Sequence, residues 1–225
     1  MKSSFFLLSV LFLGGCVTFA PPAPMLTYGG PKTTEAGKSE AVLAFGTGVA
    51  LFEGAHTGAQ GWFGRYKYGI GEKTDLGLDI LGAKRNEGLY LSIKAATRYQ
   101  LKDRIRIEIG AGVADDSDGK SINGDAALTI GTIKDKDWNY YSSVRLGYAK
   151  GYRGDAIFAD QTPLAEDMIA PPDATIGLLN LGAEGRISEN QSFVFEGGYG
   201  YVFPEGEDRG PVFYVSAGLR FLIGR

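Results

Sequence analysis

The chain of 225 residues holds one cysteine and one histidine. A single cysteine excludes an intrachain disulfide framework and any multi-cysteine zinc site. A single imidazole leaves little room for a His-rich metal centre or triad chemistry. Positive charge is also in short supply. Twenty-three Lys and Arg stand against 26 Asp and Glu, giving a net charge of -3, and the chain lacks the basic footprint of a nucleic-acid binder. Beyond the N-terminus no apolar run approaches the ~18 residues of a membrane helix. No P-loop, dinucleotide fingerprint, G-x-S-x-G elbow or haem attachment motif occurs. What is abundant is glycine, at 34 residues, accompanied by 12 Tyr and 13 Phe. An interior glycine costs a helix about 1 kcal/mol against alanine, so this composition disfavours a helical protein. The absence of a G-X-Y period excludes collagen, and the aromatic and aliphatic alternation argues against disorder.

The N-terminus reads as a processing signal. Lys2 precedes the apolar run from Phe5 to Leu13, too short to span a bilayer but of the length of a secretory h-region. Leu13-Gly14-Gly15-Cys16 follows. This tetrapeptide resembles the bacterial lipoprotein lipobox. The resemblance implies removal of residues 1–15 and acylation of Cys16, with a lipoprotein-sorting machinery as partner. Val17, and not Asp, follows the cysteine, which in that family is compatible with outer-membrane sorting. Several acyl chains would make such an anchor stable. Residues 16–39 then read as the lipidated Cys16 and a Pro/Gly-rich tether. Pro21-Pro22-Ala23-Pro24 favours extended geometry, and Gly29-Gly30-Pro31 interrupts any regular element.

From residue 40 to residue 225 the pattern has period two. Leu89, Leu91, Ile93, Ala95, Thr97, Tyr99 and Leu101 share one face, with Tyr90, Ser92, Lys94, Ala96, Arg98 and Gln100 on the other. A helix would mix these sets; a strand separates them. The same test predicts about ten strands, with eight possible, at 41–51, 60–70, 74–83, 88–101, 104–114, 121–133, 138–149, 175–187, 191–203 and 211–223. Most are long enough to cross a bilayer when tilted. Short joins at Glu72-Lys73, Lys102-Asp103, Lys134–Asp137 and Ser188–Gln191 alternate with longer ones at Glu53–Ala59, Lys84–Glu87, Asp115–Lys120, Lys150–Ala174 and Pro204–Gly210. That alternation is the pattern of a transmembrane barrel.

The chain therefore resembles the small bacterial outer-membrane β-barrel proteins, here joined to a lipoprotein signal. The expected fold is all-β, an antiparallel up-and-down transmembrane barrel. The resemblance implies both barrel termini at the periplasmic face of a Gram-negative-type envelope, the lipid anchor on that side, and long loops outward. Ser216, Gly218, Phe221 and Ile223 resemble the last-strand signal read by the barrel-assembly machinery, although the chain continues to Gly224-Arg225. The alternative architecture is a lipocalin-like lipid-binding barrel, with apolar residues inward. Aromatics near the strand ends favour the membrane form: Trp62, Tyr68, Tyr99, Trp138, Tyr140, Tyr148, Phe193, Tyr201, Phe213 and Phe221. The near-zero mean hydropathy of -0.06 then reflects two opposed faces that cancel.

A membrane barrel would hold the polar face in its lumen. The expected lumen charges are nine basic residues (Arg65, Lys67, Lys94, Arg98, Arg104, Arg106, Arg145, Arg186 and Arg220) and six acidic ones (Asp75, Asp79, Glu108, Asp125, Glu184 and Glu196). Such an interior reads as a salt-bridged, register-locking plug or as a narrow, slightly anion-preferring pore. The joins on the other side are acidic. Asp115-Asp116-Ser117-Asp118-Gly119 offers hard oxygen ligands but lacks EF-hand spacing. The join at 150–174 is the longest, and long joins are commonly functional. His56, placed in the first outer loop, is the sole candidate for a rim lipid-modifying enzyme or protease. The function expected from the sequence is a structural or surface-interaction barrel lipoprotein in contact with outer-membrane lipid. No catalytic residue, metal or cofactor is expected beyond the lipid on Cys16, and no specific ligand emerges.

Overall fold

The computed structural model describes residues 26–52, 55–85, 88–116, 119–132, 138–152, 173–206 and 209–223. Ten strands follow one another in chain order: β1 (Ser39–Phe52), β2 (Ala55–Gly71), β3 (Thr74–Arg85), β4 (Gly88–Lys102), β5 (Ile105–Asp116), β6 (Gly119–Gly131), β7 (Trp138–Tyr152), β8 (Ala174–Ser188), β9 (Gln191–Pro204) and β10 (Gly210–Ile223). Each pairs antiparallel with its neighbours in sequence. β1 closes on β10 over Ser39↔Ile223 to Ala50↔Val212, so the sheet is a closed up-and-down barrel. Closure leaves no strand edge unpaired. One end carries Ser39, Ile223 and the turns after β2, β4, β6 and β8, and is called the near rim. The other is the far rim. Register shifts occur at Gly69/Gly71, Gln100/Lys102 and Arg186/Ser188, all beside near-rim turns, where a bulge increases local twist.

The barrel is apolar outside and polar inside. Phe45 is 72% exposed, Ile109 64% and Leu181 60%, whereas Arg98, Arg106 and Arg145 are 0% exposed. This orientation is the reverse of a lipocalin's and overturns that alternative. The exposed aromatics form two groups. Tyr66, Tyr68, Tyr99, Trp138, Tyr140 and Phe193 lie toward the near rim; Trp62, Tyr148, Tyr199, Tyr201, Phe203 and Phe213 lie toward the far rim. Between them the surface is mostly aliphatic, with Leu43, Leu128, Val144 and Leu181, and includes Phe45 and Phe195. An aliphatic band between two aromatic girdles matches the chemistry of a bilayer cross-section.

Two sequence expectations need correction. The regular alternation of short and long joins is absent. β1–β2, β3–β4 and β5–β6 are connected through residues 53–54, 86–87 and 117–118 alone, as tightly as the near-rim turns, while β6–β7 is joined by the longer 132–137. The expected loops are instead drawn into the strands, and β2 reaches 17 residues. Thr57, expected in the join, continues the ladder opposite Ala50. Only the β7–β8 join is long, and residues 153–172 of it lie outside the described residues, as do Ser117 and Asp118 of the acidic run.

The second correction concerns the tether. Residues 26–38 do not hang below the barrel; their first half fills the near half of the lumen. Thr27 and Tyr28 are 0% exposed, and Thr34, nearer the rim, is buried as well. Gly37 donates its N–H to the carbonyl of Gly69 at 2.8 Å, and Lys38 accepts from the Gly69 N–H at 3.0 Å. These bonds tuck the chain under the rim before it enters β1. The signal segment 1–15, Cys16 and residues up to 25 lie outside the described residues.

Candidate functional site

The lumen gathers most of the buried charge among the described residues, and its geometry follows from strand parity. Inward positions alternate with outward ones, so charges spaced by two along neighbouring strands meet across the barrel. Arg65 on β2 forks onto Asp79 on β3, with Nε to Oδ1 at 2.7 Å and Nη2 to Oδ2 at 2.6 Å. Arg98 on β4 reaches Glu108 at 2.7 Å, Asp79 at 3.3 Å and Asp75 at 3.4 Å. Arg145 on β7 donates to Glu108 at 2.8 Å and also pairs with Asp125. Lys94 sits among Asp79, Glu108 and Asp125 at 3.3–3.5 Å. Two glycines make room for these long side chains. A Cβ at Gly77 would fall on the Arg98 guanidinium, and one at Gly110 would stand 2.9 Å from Lys94 Cδ. Buried charges cost several kcal/mol each unless they are paired and hydrogen-bonded. The network offsets most of that cost by sharing Asp79, Glu108 and Asp125 each among two or three cations, while Arg145 Nε and Arg106 Nε and Nη1 are buried without a hydrogen-bond partner among the described residues.

Thirteen of the fifteen expected lumen charges point inward. Arg104 and Arg186 do not. Arg104 lies in the turn between β4 and β5, and Arg186 sits at the near-rim bulge of β8; both are exposed. The parity rule fails there because a turn or a bulge breaks the two-residue period. The sequence reading also missed an inward acid. Glu40 pairs with Lys67, and Arg220 bridges it at 3.6 Å and Glu184 at 2.5 Å. Its parity with Val42 and Ala44, both buried, was the available signal. With these changes the inward strand charges among the described side chains are seven basic and seven acidic. Among the described residues the expected surplus of positive charge is absent.

The N-terminal segment is held by this lumen at several points. Glu196 on β9 is 0% exposed. Its Oε1 accepts the Thr27 N–H at 2.8 Å and the Tyr214 hydroxyl at 2.5 Å. Its Oε2 accepts the Tyr28 N–H at 2.8 Å and the Tyr141 hydroxyl at 2.8 Å. Arg65 donates to the carbonyl of Leu26 at 3.0 Å and also to that of Thr27. Thr27 Oγ1 shares a 2.6 Å bond with Ser143 and accepts from Asn180 at 3.0 Å. Nearer the rim, Thr34 donates its N–H to Asp75 at 2.8 Å. The Tyr28 ring packs 5.0 Å from that of Phe63, inside a cluster with Val42, Ala44 and Val194. One face of the segment is thus satisfied by charges and the other by apolar contact.

The remaining candidates fall at the barrel ends. Ser216 and Gly218 face inward on β10; Ser216 donates to the Glu196 carbonyl at 3.1 Å. Phe221 and Ile223 lie on the outward face. His56 belongs to β2, opposite Leu51, and not to a loop; its side chain is outside the described residues. At the far rim Asp173 accepts the Gly151 N–H at 2.9 Å and the Tyr148 hydroxyl. These bonds hold the Asp173 carboxyl below its usual range, the tyrosine contributing most.

No protein-family model and no curated protein matches the chain. Solved structures do. An outer-membrane channel from Pseudomonas putida F1 aligns over 88% of this chain and 100% of its own, at 10% identity and a TM-score of 0.50. Neisserial surface protein A aligns over 81% and 96%, at 10% identity and a TM-score of 0.42. The outer-membrane protease OmpT from Escherichia coli aligns over 88% and 99%, at 9% identity and a TM-score of 0.42. At such identities the likeness concerns the fold, which is that of outer-membrane β-barrel proteins.

Proposed function

We propose that this chain is an outer-membrane β-barrel lipoprotein whose lumen is closed by its own N-terminal segment, and that it acts as a structural or surface-interaction element and not as a route for solutes. The observation that carries this reading is the fully buried layer in which Glu196, Arg65 and Asp75 hold residues 26–34 across the near half of the lumen. Arg65, Asp75 and Glu196 are at most 2% exposed, which supports a near half of the lumen filled by protein. The aliphatic band and its aromatic girdles would contact outer-membrane lipid. Cys16 would carry the acyl chains and engage the sorting machinery. Ser216, Gly218, Phe221 and Ile223 would present the last strand to the assembly machinery.

Planar-bilayer recording tests the closed lumen. The purified full-length protein should insert without steady conductance. Stable ohmic steps from the native chain would establish the small-solute pore in its place.

A further inference from the structure

The inward charges divide into two paired sets and two residues left over. Arg65, Lys94, Arg98 and Arg145 share Asp75, Asp79, Glu108 and Asp125. Lys67 and Arg220 share Glu40 and Glu184. Glu196 on β9 and Arg106 on β5 remain, and their surroundings differ. Glu196 accepts four hydrogen bonds. Arg106 is 0% exposed, yet it makes no ion pair among the described residues. Its one hydrogen bond there runs from Nη2 to the Gly29 carbonyl at 3.5 Å, and Nε and Nη1 have no partner.

The carboxylates near Arg106 are engaged elsewhere. Glu108 and Asp75 face it, together with Arg98 and Arg65. Glu108 is held by Arg98, Arg145 and Lys94, and Asp75 by Arg98 and the Thr34 N–H. Across the ladder on β6, Arg106 pairs with Thr129. Thr129 is also 0% exposed, and its Oγ1 is buried without a partner. The N-terminal segment roofs this corner. Gly29 supplies its carbonyl, and Pro31 lies over β6, where a Cβ on Gly131 would stand 2.6 Å from Pro31 Cδ. Gly29 turns the chain at a φ of +111°, a conformation that favours glycine. Gly30 is half-buried, with nothing within 4 Å of the place its Cβ would take. Two unsatisfied groups able to donate thus lie beneath a roof of small residues that has open space at Gly30.

We propose that Arg106, with the Thr129 hydroxyl, binds a small inorganic anion of halide or nitrate size beneath Gly29–Pro31, admitted from the near rim past Gly30. A monovalent anion supplies the countercharge that Arg106, alone among the inward cations of the described residues, lacks. Guanidinium N–H and threonine O–H both donate to it, and the first of these bonds is of the stronger, charge-assisted kind. An organic carboxylate would carry a remainder for which the buried Gly29 and Pro31 leave no place. Because Gly29 belongs to the N-terminal segment, the anion ties that segment to β5 and β6 as Glu196 ties it to β9. The site goes beyond the role proposed above and requires neither acylation nor conduction.

Thermal unfolding of the full-length chain in lipid nanodiscs tests the site, in sodium bromide against sodium gluconate at equal ionic strength. Bromide fits beneath the roof and gluconate does not. The native midpoint should rise with bromide and saturate, as it does when a ligand binds only the folded state. In Arg106→Gln that rise should vanish. In Thr129→Val the bromide concentration giving half the rise should increase roughly tenfold, the worth of one hydrogen bond to a charged group. No bromide-specific rise in the native protein, or an equal rise in Arg106→Gln, would overturn the proposal. Should Arg106→Gln fail to fold, anomalous scattering from bromide in crystals of the native protein replaces it. A bromide peak within hydrogen-bond reach of the Arg106 guanidinium is expected there; a water, or no peak, at that place would overturn the proposal.

Discussion

Glu196→Gln isolates the contact that closes the near half of the lumen. The substitution keeps the shape and removes the charge. Each carboxylate oxygen accepts one backbone N–H and one tyrosine hydroxyl. In the glutamine one oxygen becomes an NH2 donor. The tyrosine hydroxyl on that side can rotate and accept from it, but the backbone N–H cannot turn away. One buried donor is left unpaired, at about 1–3 kcal/mol. The two bonds to the remaining oxygen fall from charge-assisted to neutral strength, roughly half. The sum is about 3 kcal/mol against docking of residues 26–34, or roughly a hundredfold in the open-to-closed ratio at 1.4 kcal/mol per decade. Hydrogen–deuterium exchange of the peptide around Thr27 and Tyr28, in lipid nanodiscs, reads this directly. Its amides should exchange about a hundredfold faster than in the native protein, while the amides of β3 to β6 keep their rates. Unchanged exchange at Thr27 and Tyr28 would refute the assignment of Glu196 as the clamp. Acceleration across the whole barrel would show that Glu196 supports the strands and not the segment.

Three further outcomes follow from the same geometry. Asp79→Asn leaves Arg65, Arg98 and Lys94 with one carboxylate fewer, so urea unfolding in lipid vesicles should show a loss of about 3–5 kcal/mol, the usual result of breaking a buried pair. Gly218→Val should block the β1–β10 seam, because a Cβ there would meet that of Ala44 at 2.5 Å; the heat-modifiable folded form should fall sharply on gels, whereas Gly64→Ala, whose nearest neighbour is Leu43 Cδ2 at 3.9 Å, should not alter it. The Asp173 carboxyl is held below its unfolded value by Tyr148, so its contribution is present above the ordinary aspartate range and is lost as pH falls through the depressed value. Exchange of the Gly151 amide should accordingly be slow at neutral pH and quicken only in strong acid, relative to Asp173→Asn.

The parts of this structure that obey a strict period were legible in the sequence. Lys94, Arg98, Arg106 and Glu108 alternate with aliphatic and aromatic outward residues, so both the sheet and its polarity follow from parity alone. Where the period breaks, reading failed. Arg104 and Arg186 share the parity of their neighbours but sit at a turn and a bulge, beyond the lumen. Glu40 was lost because Ser39-Glu40 looks like the end of a polar tether. Loop lengths mislead because a polar residue such as Thr57 can extend a strand past the apolar band at no cost in hydropathy. The placement of Thr27 and Tyr28 inside the lumen left no local trace. Their partners Glu196, Ser143 and Asn180 are more than a hundred residues away, and an aperiodic segment carries no signal of what satisfies its backbone.

The central claim is that the exposed apolar band is a lipid-facing surface and that the barrel itself spans the membrane. The most direct measurement is alkaline carbonate extraction of membranes carrying Cys16→Ala, which cannot be acylated at that position, with heat-modifiable migration recorded in parallel. The account predicts that the variant stays in the membrane pellet and migrates as a folded barrel until boiled. Full release into the soluble fraction would contradict it.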